Sequence, residues 1–178
     1  GAGPGKTVGI LGIGGLGHMG IKFAHALGAR TVAITTSAEK VALCKELGAD
    51  EVIVSTDPEQ MKAYAEKFDL IVSTLPSDHD MSPYLDLLGI DGSYVIVGAV
   101  GNMTKPFSSG KLMRRHRSIA GSQIGSIKET QEMLDFCAEH QVLPELQLAA
   151  VLARGVPILA EPALDQLLGG ARDHALDA

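Results

Sequence analysis

The chain has 178 residues, of which 46% are hydrophobic and 4% aromatic, and its formal net charge at pH 7 is -6. This length fits one domain with a substantial core, and the scarcity of aromatic residues predicts an aliphatic core such as a buried parallel sheet. The negative charge argues against nucleic-acid binding, because the dense basic segment Arg114–Arg117 is short and is expected to be a solvated helix end. The sequence contains no apolar run of membrane-spanning length and no signal-peptide pattern, so we expect a cytoplasmic protein without a membrane partner.

The first predicted elements are a buried strand, Thr7–Leu11, and a helix, Leu16–Leu27, joined by a glycine-rich turn. Gly12, Gly14 and Gly17 in that turn have the G-x-G-x-x-G spacing that holds a dinucleotide pyrophosphate. The first glycine permits the tight turn, the second lets the phosphates approach the backbone, and the third lets helix and strand pack closely. Since the first N–H groups of the helix are unpaired and face the anion, we predict a dinucleotide site rather than a merely flexible turn.

A second strand, Thr31–Thr35, ends where NAD-selective domains place an acidic residue for the adenosine ribose hydroxyls. This chain instead has the hydroxyls of Thr36 and Ser37, and Lys40 lies one helical step further on. An ammonium group holds a 2′-phosphate as a point charge, and a helix N-terminus favours a dianion. We therefore predict NADP(H) rather than NAD(H), against the contrary signal of Glu39. The alternative is that Ser37 only caps the following helix and Lys40 is only solvated.

Strands and helices continue to alternate along the chain, which predicts an α/β fold with a doubly wound parallel sheet, the strand order 3-2-1-4-5-6 and helices on both faces. Ligands of such sheets bind at the carboxyl ends of the strands. The remaining predicted elements are helix Ala38–Leu47, strand Glu51–Val54, a helix from Pro58 to about Lys67 with Asp57 as its cap, strand Leu70–Ser73, helix Tyr84–Leu88, strand Tyr94–Val97, a helix within Lys105–Arg115, strand Ser118–Ala120 and helix Thr130–Glu139.

Other reactive residue types are present but form no recognisable motif. Cys44 and Cys137 lie far apart and are expected to be buried thiols rather than zinc ligands or a disulfide. The histidines do not form a metal-ligand pattern, and His18, beside the glycine turn, is expected to make a local hydrogen bond. We expect Asp78–Asp80 to be a solvated loop and Ser108–Ser109 to be a helix cap, because no G-x-S-x-G motif surrounds it.

The composition changes near residue 149, after which Ala, Leu, Gly and Pro dominate. Pro157 and Pro162 would interrupt any long helix in that segment, and we expect Gly169–Ala178 to be disordered. The sequence therefore predicts an NADP-binding domain over residues 1–148, followed by a divergent tail, residues 149–178, that is partly disordered or irregular.

The segment 3–148 resembles the cofactor domain of the zinc-dependent medium-chain alcohol dehydrogenases, and within them the cinnamyl-alcohol-dehydrogenase-like branch of NADP-dependent aldehyde reductases. The first match is the glycine turn with its helix, GIGGLGHMGIKFAHALGA at Gly12–Ala29. The second is the hydroxyl-rich TTSAEK at Thr35–Lys40. Further matches are LGADEVI at Leu47–Ile53, VGAV at Val97–Val100 and AGSQIGSIKETQEMLDFCAEH at Ala120–His140.

The resemblance implies a role for several groups of residues around the cofactor. The predicted cofactor residues are Gly12, Gly14, Gly15, Leu16 and Gly17 at the pyrophosphate, Thr36, Ser37 and Lys40 at the 2′-phosphate, Thr74 and Leu75 beside the ribose and nicotinamide, Val97, Gly98 and Ala99 under the nicotinamide ring, and Ser122, Gln123 and Ile124 near its carboxamide. The resemblance also implies a homodimer that pairs through the last strand, Ser118–Ala120.

In that family the zinc ligands and the proton-relay hydroxyl belong to a catalytic domain, so we expect neither catalytic nor metal-binding residues in this segment. The leading hypothesis is the NADP(H)-binding domain of a zinc-dependent alcohol dehydrogenase or aldehyde reductase, in which hydride passes between the nicotinamide and a primary alcohol or aldehyde. We expect the isolated chain, an excised piece of a longer protein, to bind cofactor without turnover. The alternatives are a non-catalytic module that senses NADP(H) and a structural fragment that binds no nucleotide.

Overall fold

The computed structural model describes residues 1–98 and 101–144, and six strands in them form one parallel sheet. The strands are β1 (Thr7–Leu11), β2 (Arg30–Thr35), β3 (Glu51–Val54), β4 (Phe68–Ser73), β5 (Leu88–Ile96) and β6 (Ser118–Gly121). Their order across the sheet is β3-β2-β1-β4-β5-β6, which confirms the doubly wound fold expected from the sequence. The direction of winding reverses at β1, so a crevice opens above the carboxyl ends of β1 and β4.

Helices of very different length connect these strands. They are α1 (Gly15–Ala26), α2 (Val41–Glu46) after a 3₁₀ turn at Ala38–Lys40, α3 (Pro58–Ala63), α4 (Ser82–Leu85), α5 (Gly110–Met113) and α6 (Ile127–His140). None of the helices in the described part of the chain has the length and apolar character that a bilayer span requires.

The sheet separates two clusters of buried side chains, because alternate residues of a strand point to opposite faces. On β2, Val32 and Ile34 belong to one cluster and Ala33 to the other. Leu85 of α4 joins the first cluster and Ile21 of α1 joins the second, and all five side chains are fully buried. The core is mostly aliphatic, and each fully buried large side chain stabilises the fold by about 1.5–3 kcal/mol.

The region between β4 and β5 differs most from the sequence prediction. The helix expected over Tyr84–Leu88 is α4, which ends at Leu85, and β5 begins at Leu88, six residues before its predicted start at Tyr94. Glycines interrupt the first half of β5, and its pairing with β4 contains a register shift. Glycine has no side chain that could show the alternation of a strand, so the sequence pattern does not predict this half of β5.

Helix α3 begins at the predicted cap but ends earlier than predicted. Asp57 caps α3 as predicted, since its carboxylate accepts the N–H of Glu59 at 2.9 Å. However, α3 ends at Ala63 rather than near Lys67, and Glu66 beyond it has a left-handed φ of 59°. A left-handed residue cannot continue a right-handed helix.

The last helix begins earlier than predicted because a capping box precedes it. The N–H of Glu129 donates to Ser126 Oγ at 3.2 Å, and the N–H of Ser126 donates to Glu129 Oε2 at 2.6 Å. Consequently α6 begins at Ile127 instead of Thr130. At α5 the expected cap is incomplete, because Ser109 occupies the cap position without a side-chain cap hydrogen bond.

Three predictions lie outside the described residues. They concern Ala99 as a cofactor residue, the boundary near residue 148, and the irregular tail over residues 149–178 with its proposed disorder at Gly169–Ala178. These stay predictions.

Candidate cofactor site

A glycine turn joins β1 to α1 at the crevice. Gly12 has a φ of 87°, a left-handed value that favours glycine, and its N–H donates to the Ile34 carbonyl at 3.0 Å. A Cβ atom at Gly17 would lie 1.9 Å from the Gly12 carbonyl oxygen, so the helix meets the strand at backbone contact. A Cβ at Gly14 or Gly15 would meet no atom within 4 Å. The turn is therefore tightly packed where Gly12 meets Gly17, and it is open beside Gly14 and Gly15.

The first turn of α1 presents backbone donors beside this open surface. The N–H of His18 donates to the Gly14 carbonyl at 3.0 Å. The N–H groups of Gly15, Leu16 and Gly17 precede it and have no acceptor within the helix. Together with the positive end of the helix dipole, such groups form an anion site. Donors and open space coincide here, so the turn fits a pyrophosphate.

Thr74, directly after β4, holds the turn from the other side. Its hydroxyl donates to the Gly12 carbonyl at 2.7 Å, and its N–H donates to the Leu11 carbonyl at 2.9 Å. The next residue, Leu75, lies against Gly98, where a Cβ would be 2.1 Å from the Leu75 carbonyl oxygen. Only glycine permits that approach. The loops after β1, β4 and β5 therefore pack against one another at one edge of the sheet.

Lys40 connects the end of β2 to the glycine turn. Its Nζ donates to the Ile13 carbonyl at 2.9 Å. Ser37 occupies a cap position, but its hydroxyl makes no cap hydrogen bond, and its N–H donates to Thr35 Oγ1 at 3.2 Å. The side chain of Ser37 therefore makes no cap hydrogen bond, and Lys40 is bonded to the protein rather than only solvated. A positive charge lies at the turn, close in sequence to the exposed Thr36.

A cavity of about 380 Å³ lies over this edge of the sheet, between the glycine turn, the end of β2 and the loop after β4. Tyr84 of α4 also lines the cavity, and no sequence signal marked it as a site residue. Of the predicted cofactor residues, the cavity brings together Gly12, Gly14, Gly15, Leu16, Thr36, Lys40, Thr74 and Leu75. The other predicted residues that the structure describes do not line it, namely Gly17, Ser37, Val97, Gly98, Ser122, Gln123 and Ile124.

The segment Ser122–Ile124 lies at the end of β6, apart from the cavity lining. The N–H of Ser122 donates to the Ile96 carbonyl at 3.0 Å, so this segment leaves the sheet next to β5. Its side chains are exposed, and Ile124 is 95% exposed. The end of the site predicted for the nicotinamide carboxamide is therefore open in the described part of the chain.

The loop at Asp78–Asp80 is not the purely solvated segment that we expected. Asp78 accepts the N–H of Thr104 at 3.2 Å as well as its hydroxyl, and these bonds lower the pKa of the Asp78 carboxyl. Asp80 accepts the N–H of Ser82 at 2.8 Å, which lowers the pKa of the Asp80 carboxyl. Both carboxylates thus hold neighbouring backbone in place.

Metal-ligating side chains are scattered in the part of the chain that the structure describes, where no group of three or more lies together. Cys44 is buried and Cys137 half-buried, both as free thiols, and burial raises the pKa of Cys44. The local hydrogen bond expected for His18 is not made by its buried Nε2, which has no partner within residues 1–98 and 101–144.

The strand order and the glycine turn define a Rossmann-like α/β fold. The family described as zinc-binding dehydrogenase matches residues 15–139, and the chain belongs to this family. The resemblance predicted from the sequence is thereby confirmed.

Relatives of the chain are alcohol dehydrogenases and aldehyde reductases. Aldehyde reductase YahK of Escherichia coli (strain K12) is 50% identical over 147 residues, which cover 83% of this chain and 42% of that protein. The solved structure of the cinnamyl alcohol dehydrogenase SbCAD4 from Sorghum bicolor is 37% identical, with a TM-score of 0.78 over 85% of this chain and 44% of that one. The structure of a Helicobacter pylori CAD complexed with NADP(H) is 34% identical, with a TM-score of 0.71 over 81% of this chain and 41% of that one. The chain thus spans less than half the length of these relatives.

Proposed function

We propose that this chain binds NADP(H) as the cofactor-binding part of an alcohol dehydrogenase or aldehyde reductase. The observation that carries the proposal is that one cavity combines an open glycine turn, the first N–H groups of α1 and the ammonium of Lys40. When bound, the cofactor supplies hydride to an aldehyde carbon or accepts it from a primary alcohol. The residues of this chain bind the cofactor and orient it.

The phosphates are the groups that this site fits best. The N–H groups of Gly15, Leu16 and Gly17 would donate to the pyrophosphate. Lys40, with the hydroxyls of Thr36 and Ser37, would hold the 2′-phosphate by charge-assisted hydrogen bonds. The names of two relatives support this choice of cofactor: a Mycolicibacterium smegmatis protein, 43% identical over 148 residues, is an NADP-dependent alcohol dehydrogenase, and the Helicobacter pylori CAD is complexed with NADP(H).

The nicotinamide half is proposed to follow the loops after β4, β5 and β6. Thr74 and Leu75 belong to the cavity wall, whereas the later loops lie outside it. The residues assigned to this half are Thr74, Leu75, Val97, Gly98, Ala99, Ser122, Gln123 and Ile124.

The test of cofactor binding is a titration of NADPH fluorescence with the purified chain, repeated with NADH and with Ser37→Asp. We expect NADPH to bind more tightly than NADH, and a carboxylate at position 37 to repel the 2′-phosphate and shift the preference towards NADH. An unaltered NADPH affinity in Ser37→Asp would contradict the assigned pocket. No binding at all would favour the structural fragment, and a cofactor-dependent change in scattering would favour the sensing module.

We further propose that the chain binds cofactor without turnover. Zinc does not fit the described residues, because they bring no three ligating side chains together, and no step of the chemistry is assigned to them. The expected result is that NADPH mixed with a primary aldehyde, Zn²⁺ and the purified chain is oxidised no faster than in the absence of protein. A zinc-dependent rate would contradict this part of the proposal.

A homodimer through β6 and a cytoplasmic location complete the proposal. In the described sheet β6 pairs with β5 alone. Because Ser122 directs its N–H to β5, alternation turns the N–H groups of Ile119 and Gly121 towards the open edge. Gly121→Pro removes one outward donor and is expected to convert a dimer into a monomer in light scattering. A monomeric wild type would contradict the dimer.

The two free thiols, Cys44 and Cys137, suit a reducing compartment.

A further inference from the structure

His79 is bonded at both ring nitrogens, in the loop that follows β4. Its Nδ1 lies 2.9 Å from the Ser77 carbonyl oxygen, and its Nε2 lies 2.9 Å from the hydroxyl of Tyr94. A carbonyl oxygen only accepts, so Nδ1 carries the hydrogen. In the neutral ring Nε2 is then an acceptor, and the Tyr94 hydroxyl donates to it.

Tyr94 gives His79 an attachment point inside the sheet. Its side chain is fully buried in β5, in register with Ile71 of β4 on one side and Ile119 of β6 on the other. Burial raises the pKa of Tyr94 to about 12, so its hydroxyl keeps its proton at neutral pH. The bond therefore joins a surface loop to the middle of the core.

The same loop forms one wall of the cofactor cavity. It begins with Thr74 and Leu75 and continues through His79 to α4, where Tyr84 returns to the cavity. The rings of His79 and Tyr84 meet edge to face, with centroids 6.1 Å apart. His79 does not line the cavity, but it is bonded to Ser77, which directly follows the lining residues Thr74–Pro76, and it packs against Tyr84, which lines the cavity.

The neighbouring carboxylates of Asp78 and Asp80 accept hydrogen bonds from backbone N–H groups. Asp78 holds the backbone and hydroxyl of Thr104, and Asp80 accepts the N–H of Ser82. The hydrogen bonds of the His79 ring thus go to Ser77 and Tyr94. These two hydrogen bonds hold the His79 ring and its loop in place, and they do not form an acid–base pair with a carboxylate.

We infer that His79 is a positioning residue, which holds the wall formed by Leu75 and Tyr84 against the nicotinamide half of NADP(H) through its hydrogen bond to Tyr94. The inference rests on the proposed function. A residue of this kind affects the half of the cofactor that the wall touches and leaves the adenosine phosphate half unchanged. The sequence pattern contained no sign of this role, because His79 and Tyr94 are 15 residues apart.

The test compares two ligands, NADPH and adenosine 2′,5′-bisphosphate, by calorimetric titration of the whole chain. In His79→Ala and in Tyr94→Phe we expect NADPH to bind roughly tenfold more weakly, the effect of one lost hydrogen bond, and the bisphosphate to bind as in the wild type. The double variant should be no weaker than either single variant, because both remove the same bond. His79→Gln should recover part of the loss, since its amide both donates and accepts. The matched control is Ser77→Ala, which keeps the carbonyl acceptor and should bind both ligands normally.

The outcomes separate the two proposals. If the wild type binds both ligands and His79→Ala binds NADPH equally well, the positioning role is overturned and cofactor binding stands. If the two ligands weaken together, or if the two single variants act additively, the positioning role is also overturned. If the wild type binds neither ligand, both proposals are overturned. Tyr94→Phe keeps the buried ring, so the comparison holds even where His79→Ala fails to fold.

Discussion

The two ends of the candidate site differ in what holds them. At the proposed phosphate end, the glycine turn exchanges hydrogen bonds with Ile34 of β2, with Thr74 directly after β4, and with Lys40 in the segment after β2. At the other end, Ser122–Ile124 is exposed and follows the edge strand of the described sheet. The glycine turn is thus bonded to neighbouring elements, whereas the side chains of Ser122–Ile124 are exposed.

This difference leads to an expectation about which end of the proposed site contributes more to cofactor affinity. The proposed phosphate end consists of backbone donors and one ammonium on a packed sheet edge. At the open end, Ile124 and Ile127 are 95% and 92% exposed. We therefore expect the phosphates to supply most of the affinity of this chain for NADP(H).

Gly17→Ala should have the largest effect, because it breaks the better-supported end. The new Cβ would lie 1.9 Å from a backbone oxygen, which cannot move aside as a flexible side chain can. We expect the free energy of unfolding to fall by about 1–3 kcal/mol, as for other overpacked positions, and NADPH binding to be lost. Urea unfolding measures the first effect. Gly3→Ala is the control, since its Cβ would meet no atom within 4 Å. Equal stability of the two variants would contradict the close packing.

Gly14→Val should abolish binding while the fold stays intact. The backbone of Gly14 is extended, with φ -115° and ψ -155°, and an added Cβ there meets no atom within 4 Å, so the position accepts a Cβ without a clash in the free protein. The side chain would occupy the space above the first N–H groups of α1. Losing two charge-assisted hydrogen bonds corresponds to a loss of affinity of at least about a hundredfold. A thermal melt checks the fold and a fluorescence titration checks the affinity; normal NADPH binding would show that the phosphates lie elsewhere.

The sequence was sufficient for the parts of the fold and site that depend on neighbouring residues. The spacing of Gly12, Gly14 and Gly17 predicted the turn, and the alternation of strands and helices predicted the strand order. The capping box of Ser126 and Glu129 also has a local signature, S-x-x-E, and could have placed the start of α6.

The contacts that escaped prediction join residues distant in sequence. Lys40 reaches a carbonyl 27 positions earlier, and Tyr84 enters the cavity from a four-residue helix. Neither is visible as a spacing, because each depends on how strands cross and where loops fold back. The same holds for the bond between His79 and Tyr94, whose partners meet only once β4 and β5 have paired.

Lys40→Met tests which of two roles the ammonium has at the phosphate end. Removal of a charge-assisted bond to the 2′-phosphate should weaken NADPH binding by about 10–100-fold and leave NADH binding unchanged. Loss of the bond to the Ile13 carbonyl would instead loosen the turn and weaken both cofactors alike. Parallel titrations with the two cofactors distinguish these results. Lys62→Met, on an exposed part of α3, serves as the control for removing a positive charge.

Asp78→Ala should have the smallest effect, because it releases only the contact between the loop after β4 and Thr104. The bonds from Thr104 lower the pKa of the Asp78 carboxyl in the folded state, so its stabilising contribution is complete above the ordinary aspartate pKa of about 3.9 and is lost as pH falls through the lower folded value. The urea midpoint of Asp78→Ala should therefore lie slightly below that of the wild type at pH 7, and the two should converge in acid. Asp78→Asn keeps an acceptor but cannot titrate, so its bonds persist at low pH. A difference between Asp78→Ala and the wild type that does not change with pH would contradict this account.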